Sequence, residues 1–472
     1  MDGSRQPTEL ELQQAFYQGI GHLVSALEFA KLLINSDNNL SITILCIKLP
    51  TTPFSDSYIR TALASQPQIQ LIDLPQVEPP PNEQLVSPPC YIKTFTQSLI
   101  PHVKATMQNI LSSSHSNPVV GLVLDFFCLS MIDVGNELGI PSYLFMTSNA
   151  GFLGLMLSLQ KRQIEDVFND SDPELSIPGF SNPVPSSVLP NAAYSKDGGY
   201  EAYYKLAQRF RETKGIIVNT FSELEQYAID ALSSDGLTPP IYAVGPLIDL
   251  KGQSNPNTDQ AQHDHILKWL DEQPHSSVVF LCFGSMGSFG PSQTREIALG
   301  LQLSGVRFLW AMHPPPTKDN IAKKILPEGF LEWMDGDRGM LCGWAPQVEV
   351  LAHKAIGGFV SHCGWNSILE SLWFGVPILT WPIYAEQQLN AFRMVRELGL
   401  AVELRVDYRT GSALVMAEEI EKGLKHLMDR DNNVVHKKVQ EMKVMARKAV
   451  LSGGSSFISV RKLIDNMIGI SS

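Results

Sequence analysis

A short segment around residue 360 places a histidine, an asparagine and a serine at one strand-to-helix turn. The apolar run 357–361 is typical of a buried strand, and a helical pattern begins at Ser367. His362, Gly364 and Asn366 lie between them. The N-terminus of a helix presents backbone N–H groups and about half an elementary positive charge, so it binds phosphate readily. We therefore predict an anion site here, with side-chain donors from His362, Asn366 and Ser367.

Two flanking motifs indicate that the anion belongs to a nucleotide. "WAPQ" supplies Trp344 and Gln347, and "YAEQQ" begins at Tyr384. An indole beside an amide suits a nucleobase, since stacking of a base on an aromatic ring contributes about 1–3 kcal/mol. Glu370 could accept from ribose hydroxyls, as an acidic residue does in dinucleotide folds. The alternative is a capping box, in which Ser367 and Glu370 only close the start of the helix.

The elements that must position these residues repeat along the whole chain. Apolar runs of strand length alternate with amphipathic helical patterns, which predicts an α/β fold with parallel, doubly wound sheets. In the first half we predict helix 23–34, strand 41–47, strand 119–124, helix 129–138, strand 142–146 and strand 215–218. In the second half we predict helix 263–270, strand 278–283, helix 292–303, strand 308–311, strand 357–361, helix 367–373 and strand 377–380.

A polar segment divides the two halves. Residues 249–262 carry Gly, Pro, Asn and Ser and almost nothing to bury, which is typical of a linker. We predict an N-terminal Rossmann-like domain over 1–248 and a C-terminal one over 263–453, facing each other across a cleft. The helix predicted within 454–472 is expected to complete the N-terminal domain.

The segment from Trp344 to Gln387 resembles the plant secondary product glycosyltransferase signature of family 1 UDP-glycosyltransferases. The chain as a whole looks similar to legume enzymes that glucosylate triterpenoids and (iso)flavonoids. The resemblance implies the GT-B architecture, with the acceptor bound by the N-terminal domain and the UDP-sugar by the C-terminal one. It also implies that Trp344 stacks on uracil, that Gln347 contacts the base or ribose, and that Glu370 holds the ribose hydroxyls.

The remaining donor contacts are likewise implied by the resemblance. His362, Asn366 and Ser367 would bind the diphosphate together with Ser285, and Trp365, Glu386 and Gln387 would bind the sugar hydroxyls. A glutamine at the last position of the signature usually accompanies glucose in this family. The full set of implied donor-site residues is Ser285, Trp344, Ala345, Gln347, His362, Gly364, Trp365, Asn366, Ser367, Glu370, Tyr384, Glu386 and Gln387.

The catalytic residues are expected in the first half. His22 lies in "GIGHL", where a histidine is commonly a cap or a solvent contact, but the matching histidine of the family is the general base. Asp125 ends the buried run "LVLD", and a buried carboxylate would fix the tautomer of the imidazole and stabilise the imidazolium. The resemblance implies inverting transfer of glucose from UDP-glucose to a hydroxyl, giving a β-glucoside. Aromatic and apolar side chains near Asp125 form a candidate acceptor pocket, or are simply core: Phe126, Phe145, Met146 and Phe152.

Composition excludes several other classes of partner. The net charge is -12 and no lysine or arginine run could follow a nucleic-acid backbone. No apolar stretch reaches the roughly 18 residues of a membrane span, and the start lacks the features of a signal peptide. The six cysteines are scattered, which favours a cytoplasmic protein. We expect a monomer with a small-molecule acceptor, a UDP-sugar donor as co-substrate, and neither cofactor nor metal.

One segment departs from the family. "QQAFYQ", 13–18, stands where relatives carry an apolar first strand, and each unpaired buried glutamine would cost about 1–3 kcal/mol. We therefore expect this strand to be frayed or displaced, unless the start of the coding region is altered. This leaves open a second hypothesis, a sugar-nucleotide binding protein with weak or no transferase activity.

Three further classes are weighed on their motifs. A metal-dependent transferase could use Asp170 and Asp172, or Asp335 and Asp337, but both pairs lie in polar sequence that does not follow a buried strand. A serine hydrolase is disfavoured because Phe283 stands where the G-x-S-x-G motif around Ser285 requires glycine. A nicotinamide-dependent oxidoreductase is disfavoured because no complete G-x-G-x-x-G motif opens a helix.

Overall fold

The computed structural model describes residues 10–17, 20–48, 59, 62–64, 66–80, 87–113, 117–169, 171–251, 260–312, 325–334, 338–409, 411–430 and 434–469. The chain divides into two compact units. The first comprises Met1–Ser186, Asn191–Ile248 and Lys448–Ser472, and the second comprises Ser187–Pro190 and Asp249–Arg447. Residues 252–259 of the predicted linker lie outside the described residues.

A parallel sheet forms the centre of the first unit, with the strand order β3-β2-β1-β4-β5-β6-β7. The strands are β1 Leu10–Tyr17, β2 Leu40–Ile47, β3 Ile69–Asp73, β4 Val119–Asp125, β5 Ser142–Met146, β6 Gly215–Val218 and β7 Ile241–Ala243. The order reverses between β1 and β4. In such sheets, ligand and catalytic sites lie beyond the carboxyl ends of the strands at this switch point.

The expectation of a frayed or displaced first strand is wrong. β1 is a central strand that pairs with β2 along its full length and with β4 from Glu11 to Ala15. Gln13 and Gln14 are fully buried. Gln13 Nε2 donates to Glu11 Oε1 at 2.6 Å, whereas neither amide atom of Gln14 has a hydrogen-bond partner among the described residues. Pairing with two neighbouring strands is therefore sufficient to hold the strand despite its glutamines.

Helices cover both faces of this sheet, as the sequence predicts for a doubly wound unit. The helices are α1 Ile20–Ser36, α2 Pro88–Ser98, α3 Ile100–Ser112, α4 Ile132–Leu138, α5 Ala150–Leu159, α6 Asn191–Tyr194, α7 Gly199–Gln208 and α8 Ser222–Ser233. α1 starts three residues earlier than predicted. The helix predicted over 129–138 is instead a 3-10 segment, Phe126–Met131, followed by α4, because Asp125 caps the tight turn by accepting from the Phe127 N–H.

The second unit repeats the architecture with the strand order β10-β9-β8-β11-β12-β13. The strands are β8 Val278–Cys282, β9 Arg307–Ala311, β10 Gly339–Cys342, β11 Ile356–Ser361, β12 Ile378–Thr380 and β13 Ala401–Glu403. The helices are α9 Gln260–Asp271, α10 Pro291–Ser304, α11 Phe330–Met334, α12 Gln347–Ala352, α13 Trp365–Phe374, α14 Gln387–Phe392, α15 Ala417–Met428 and α16 Val434–Ala449. The strand order reverses between β8 and β11, which is the switch point of this sheet.

Element bounds in this half differ from the predicted ones by a few residues at most. α9 begins at Gln260, inside the segment predicted as linker, and α13 begins at Trp365 instead of Ser367. A π-helical turn, Arg393–Glu397, follows α14. Two doubly wound parallel sheets confirm the predicted α/β fold class.

The last helix, α17 Ser455–Met467, returns to the first unit. Its apolar residues Val460, Leu463 and Ile464 are buried in the same core cluster as α1 and β2. The Tyr143 hydroxyl of β5 lies 3.0 Å from Asn466 Oδ1 and donates to it. The first unit is therefore built from both ends of the chain. Within the described part of the chain, no helix is both long and apolar enough to span a bilayer.

Candidate active site

His22 and Asp125 meet at the switch point of the first sheet. His22 is the third residue of α1, the helix that follows β1, and Asp125 ends the adjacent strand β4. Because parallel strands end at the same edge of a sheet, the two side chains are brought together. His22 Nδ1 lies 2.6 Å from Asp125 Oδ2, and the carboxylate is completely buried while the imidazole keeps 25% of its side-chain surface exposed.

Both oxygens of Asp125 are used. Oδ2 faces His22, and Oδ1 accepts from the Phe127 N–H at 2.9 Å. The carboxylate is therefore held by the backbone of the 3-10 segment and cannot turn away from the imidazole. Thr147 Oγ1 lies 3.3 Å from His22 Nδ1, and the Phe127 ring centroid is 5.5 Å from that of His22. The sequence did not single out Thr147 for the site, because nothing in its local pattern distinguishes it from core residues.

The predicted acceptor residues fall into two environments. Phe126 makes edge contacts with Phe127 and Phe152, with ring centroids 4.8 and 5.8 Å apart, so it belongs to an aromatic cluster that reaches His22. Phe145 is fully buried and stacks on Phe29 in the core, and Met146 is also buried. Any role of Phe145 and Met146 in acceptor binding therefore rests on the prediction alone.

In the second unit the turn after β11 is held in an unusual backbone conformation. Cys363 has a φ of 62°, which non-glycine residues seldom adopt. Its N–H donates to Ser361 Oγ at 3.1 Å, and its carbonyl accepts from Asn390 Nδ2 at 3.0 Å. Strained residues of this kind concentrate at functional sites, where surrounding contacts maintain them. These contacts aim the start of α13 toward the predicted anion position.

α13 begins without a side-chain cap and without an acidic residue in its first turn. Gly364 is its N-cap residue and Trp365 its first helical residue. The predicted start at Ser367 is wrong, and so is the capping-box interpretation, since Ser367 lies in the third helical position. The positive end of the helix dipole is therefore not offset by a carboxylate in the first turn, as a diphosphate site requires.

His362 is buried between two glycines. A Cβ atom on Gly284 or on Gly364 would lie 2.7 or 2.5 Å from His362 Nε2, so only glycine leaves room for the ring. Burial lowers the pKa of His362 to about 4, partly offset by a hydrogen bond to the Cys282 backbone. Nδ1 is buried and has no partner among the described residues. The imidazole is thus neutral at pH 7. The sequence missed Gly284, whose importance follows only from this contact.

Gln347, Ser367 and Glu370 form one hydrogen-bonded group. Gln347 Nε2 donates to Ser367 Oγ at 2.9 Å and to Glu370 Oε2 at 2.6 Å. Burial raises the pKa of Glu370 to about 7, because the hydrogen bond from Gln347 offsets only part of the desolvation and the charge of Asp249 adds to it. This carboxylate consequently titrates near neutral pH. Gln347 and Glu370 are the residues predicted to contact the base and ribose, and Ser367 is predicted to contact the diphosphate.

The other predicted donor residues lie around the same strand ends. Gln387 Oε1 accepts from the N–H groups of Ile383 and Tyr384 at 2.9 and 3.0 Å, and its side chain also hydrogen-bonds to the Tyr384 hydroxyl. Burial raises the pKa of Tyr384 to about 12. Ser285 and Met286 are exposed in the loop after β8. Ala345 and Trp365 are buried, whereas Trp344, Asn366 and Glu386 are partly exposed.

The candidate metal positions of the sequence fall largely outside the described residues. This applies to Asp170 and to the triplet 335–337. Within the described ranges, no group of three or more His, Cys, Asp or Glu residues could hold a metal ion. All six cysteines are described and are free thiols.

Comparison with known proteins identifies the family. A family model described as UDP-glucoronosyl and UDP-glucosyl transferase matches residues 243–439. The chain is 55% identical over 470 residues to UDP-glycosyltransferase 71K2 of Pyrus communis, covering 96% of both chains. It is 49% identical over 457 residues to flavonol 3-O-glucosyltransferase UGT71C4 of Arabidopsis thaliana, covering 94% of this chain and 95% of that one.

A solved structure gives the same answer. The crystal structure of Medicago truncatula UGT71G1 complexed with UDP-glucose is 71% identical, has a TM-score of 0.93, and covers 97% of this chain and 98% of that one. The similarity therefore extends over both units. The chain belongs to the plant family 1 UDP-glycosyltransferases, enzymes of the GT-B fold that transfer a sugar from a UDP-sugar donor.

Proposed function

We propose that this enzyme is an inverting, UDP-glucose-dependent O-glucosyltransferase that acts on a hydroxyl of a flavonoid, isoflavonoid or triterpenoid aglycone. The observation that carries the proposal is the 2.6 Å contact between His22 Nδ1 and the fully buried Asp125. With Nδ1 engaged by the carboxylate, Nε2 is the nitrogen that accepts a proton, and Asp125 stabilises the imidazolium that results.

The reaction is a single displacement at the anomeric carbon. The acceptor hydroxyl transfers its proton to His22 Nε2 while its oxygen forms a bond to C1 of glucose. The C1–O bond to UDP breaks, and the electron pair leaves with the β-phosphate. Attack from the face opposite UDP converts the α-linkage of the donor to a β-glucoside. Positioned general-base catalysis of this kind contributes about 100- to 10,000-fold.

Donor binding is assigned to the second unit. The diphosphate would bind at the start of α13, beside His362, where backbone N–H groups and the helix dipole stabilise the charge that grows on UDP. Glu370 and Gln347 would hold the ribose, and Trp344 would stack on uracil. Gln387 would contribute to binding the sugar hydroxyls. UGT71G1 was crystallised as a complex with UDP-glucose, which supports glucose as the sugar.

The acceptor class follows from the aromatic surface beside the base. Phe127 is half-buried, lies next to the His22 ring and continues into the cluster of Phe126 and Phe152. Flat, apolar alcohols suit such a surface. The name of the flavonol 3-O-glucosyltransferase relative supports the same class. We also propose that the enzyme is a monomer that requires no metal, and its free thiols support a reducing compartment.

The test uses purified protein, UDP-glucose and a panel of flavonoid, isoflavonoid and triterpenoid aglycones, without added metal and with a chelator. We expect mass spectrometry to find the aglycone plus one hexose, together with equimolar UDP, and NMR to find a β-anomeric linkage. An α-linked product, or turnover that depends on a divalent cation, would contradict the proposed mechanism. UDP binding without any hexoside would favour the binding-protein hypothesis instead.

A further inference from the structure

Two histidine–carboxylate contacts join α9 to α12 in the second unit. His263 Nε2 of α9 lies 3.1 Å from both Oε1 and Oε2 of Glu349 in α12. At the other end of α9, Asp271 Oδ1 lies 3.3 Å from Nε2 of His353, the C-cap residue of α12. The two contacts join α12 to α9, one at Glu349 in the middle of α12 and the other at its C-cap residue His353.

The two histidines differ in their hydrogen bonds. His263 has a carboxylate at each ring nitrogen, since Asp264 Oδ1 lies 3.1 Å from Nδ1 and Glu349 faces Nε2. Hydrogen bonds to Asp264 and then to Glu349 raise its pKa above the usual value. His353 instead accepts the Ala355 N–H at Nδ1, so its proton lies on Nε2 and the ring can bind Asp271 while neutral. Only the His263 ring therefore needs a second proton to donate to both of its carboxylate partners at once.

α12 carries the residue that organises the ribose site. It is six residues long, and Gln347 is its first residue. A helix of this length is not stable on its own, so side-chain contacts must fix its direction. Residues two apart on a helix point to different sides, which allows Gln347 to reach Glu370 while Glu349 reaches α9. The buried side chains of Val348, Val350 and Leu351 supply the remaining anchor.

We propose that His263 is a positioning residue for donor binding: protonated and held by Glu349, it fixes α12 in the direction that aims Gln347 at the ribose of the UDP-sugar. This inference rests on the proposed role of Gln347 in the donor site. Loss of the proton from His263 weakens the contact, so donor affinity decreases as the pH rises above neutral. The charged groups recorded against His263 are Asp264 on its own helix and Glu349 on α12.

The experiment measures UDP affinity by calorimetry and the KM for UDP-glucose between pH 6.5 and 9. The variant H263Q keeps a hydrogen-bond donor but cannot gain a charge, and E349Q removes the negative charge of the partner. H353A is the matched control, because it breaks the other contact between α9 and α12 and leaves the His263–Glu349 pair in place. We expect the ratio of the wild-type KM to the KM of H263Q to rise about two- to five-fold over this range, the size expected of a partly exposed ion pair. The ratio cancels the contribution of Glu370, which both proteins share.

In H263Q and E349Q the KM should already be raised at pH 6.5 and should lack the component of the profile that comes from His263, with kcat unchanged. H353A should retain the wild-type rise, and the thermal midpoints of all variants report whether each is folded. If H263Q shows the same rise as the wild type, or H353A loses it, the positioning role is wrong while the proposed function stands. If the wild type binds no UDP at any pH, both are wrong.

Discussion

The two sheets present their switch points with opposite chemistry. Beyond β1 and β4 the carboxyl group of Asp125 is buried against an imidazole that keeps a quarter of its surface exposed. Beyond β8 and β11 the imidazole of His362 is buried, neutral and surrounded by glycine backbone. The first arrangement can accept a proton, because the buried carboxylate stabilises the cation. The second can bind a polyanion, because its donors are fixed dipoles. In the proposed mechanism, one topology thus provides the base in one unit and the anion site in the other.

The largest effects are expected when each histidine is removed in turn. H22A should lower kcat about 100- to 10,000-fold, because the general base is gone, while the Kd for UDP stays at the wild-type value. H362A is the matched variant and should weaken UDP binding. Calorimetry with UDP and product analysis by chromatography separate the two effects. An H22A protein that turns over at the wild-type rate would show that the buried dyad is structural.

Adding a methyl group at Gly284 tests whether a glycine is needed there to leave room for the ring of His362. G284A places a Cβ atom 2.7 Å from His362 Nε2 and requires a φ of 77°, so it should displace the ring. Overpacking of this kind costs about 1–3 kcal/mol, which corresponds to roughly 5- to 150-fold weaker UDP binding if the cost falls on the ligand-binding conformation. G290A is the control, since a Cβ atom there has nothing within 4 Å. Equal UDP affinities in the two variants would argue against the contact between Gly284 and the ring.

The pH dependence of UDP binding tests the role of Glu370 in the second unit. The pKa of Glu370 is raised to about 7, so the acceptor for ribose hydroxyls is present above pH 7 and is lost as the pH falls through it. UDP affinity should therefore decrease by up to about tenfold per pH unit below 7. The free energy of unfolding should change in the opposite sense. A carboxyl group whose pKa is raised in the folded state contributes stability at low pH, and this contribution is lost as the pH rises through about 7. E370Q should bind UDP weakly and lack this component of the profile, which calorimetry can establish.

The smallest effect concerns only the first unit. Q14L replaces a fully buried amide, without hydrogen-bond partners among the described residues, by an apolar side chain of similar size. The substitution should stabilise this unit by about 1–3 kcal/mol, since the amide is desolvated without compensation. The Kd for UDP should not change. Differential scanning calorimetry measures the midpoint, and a lower value for Q14L would mean that Gln14 has a compensating interaction.

The sequence predicted the architecture because alternation of strand and helix patterns is a local signal. It failed at β1, where glutamines suggested a displaced strand. Position between β2 and β4 outweighs local composition there, since both edges of the strand are paired. The start of α13 was also misplaced, because its glycine N-cap supplies no polar start signal and the first polar cap residue lies farther along the chain.

The site was predictable where one motif carries several residues, as from Trp344 to Gln387. The contacts that fix the geometry of the site were not predictable from the sequence. Gly284 matters because of the ring of His362, which is remote from it in the sequence, and Phe127 because its N–H fixes Asp125. The direction of each pKa shift depends on burial in the folded chain, which spacing alone cannot supply.

Because α17 packs in the first unit, the first unit cannot be completed until the second unit has been synthesised. The buried face of α17 completes a core whose other members are translated hundreds of residues earlier. Until α17 leaves the ribosome, the nascent first unit must display that apolar surface, whereas the second unit has already been synthesised. A chain that stops before Ser455 would therefore contain the whole second unit but a first unit that exposes apolar surface, which makes it a substrate for chaperones and proteases.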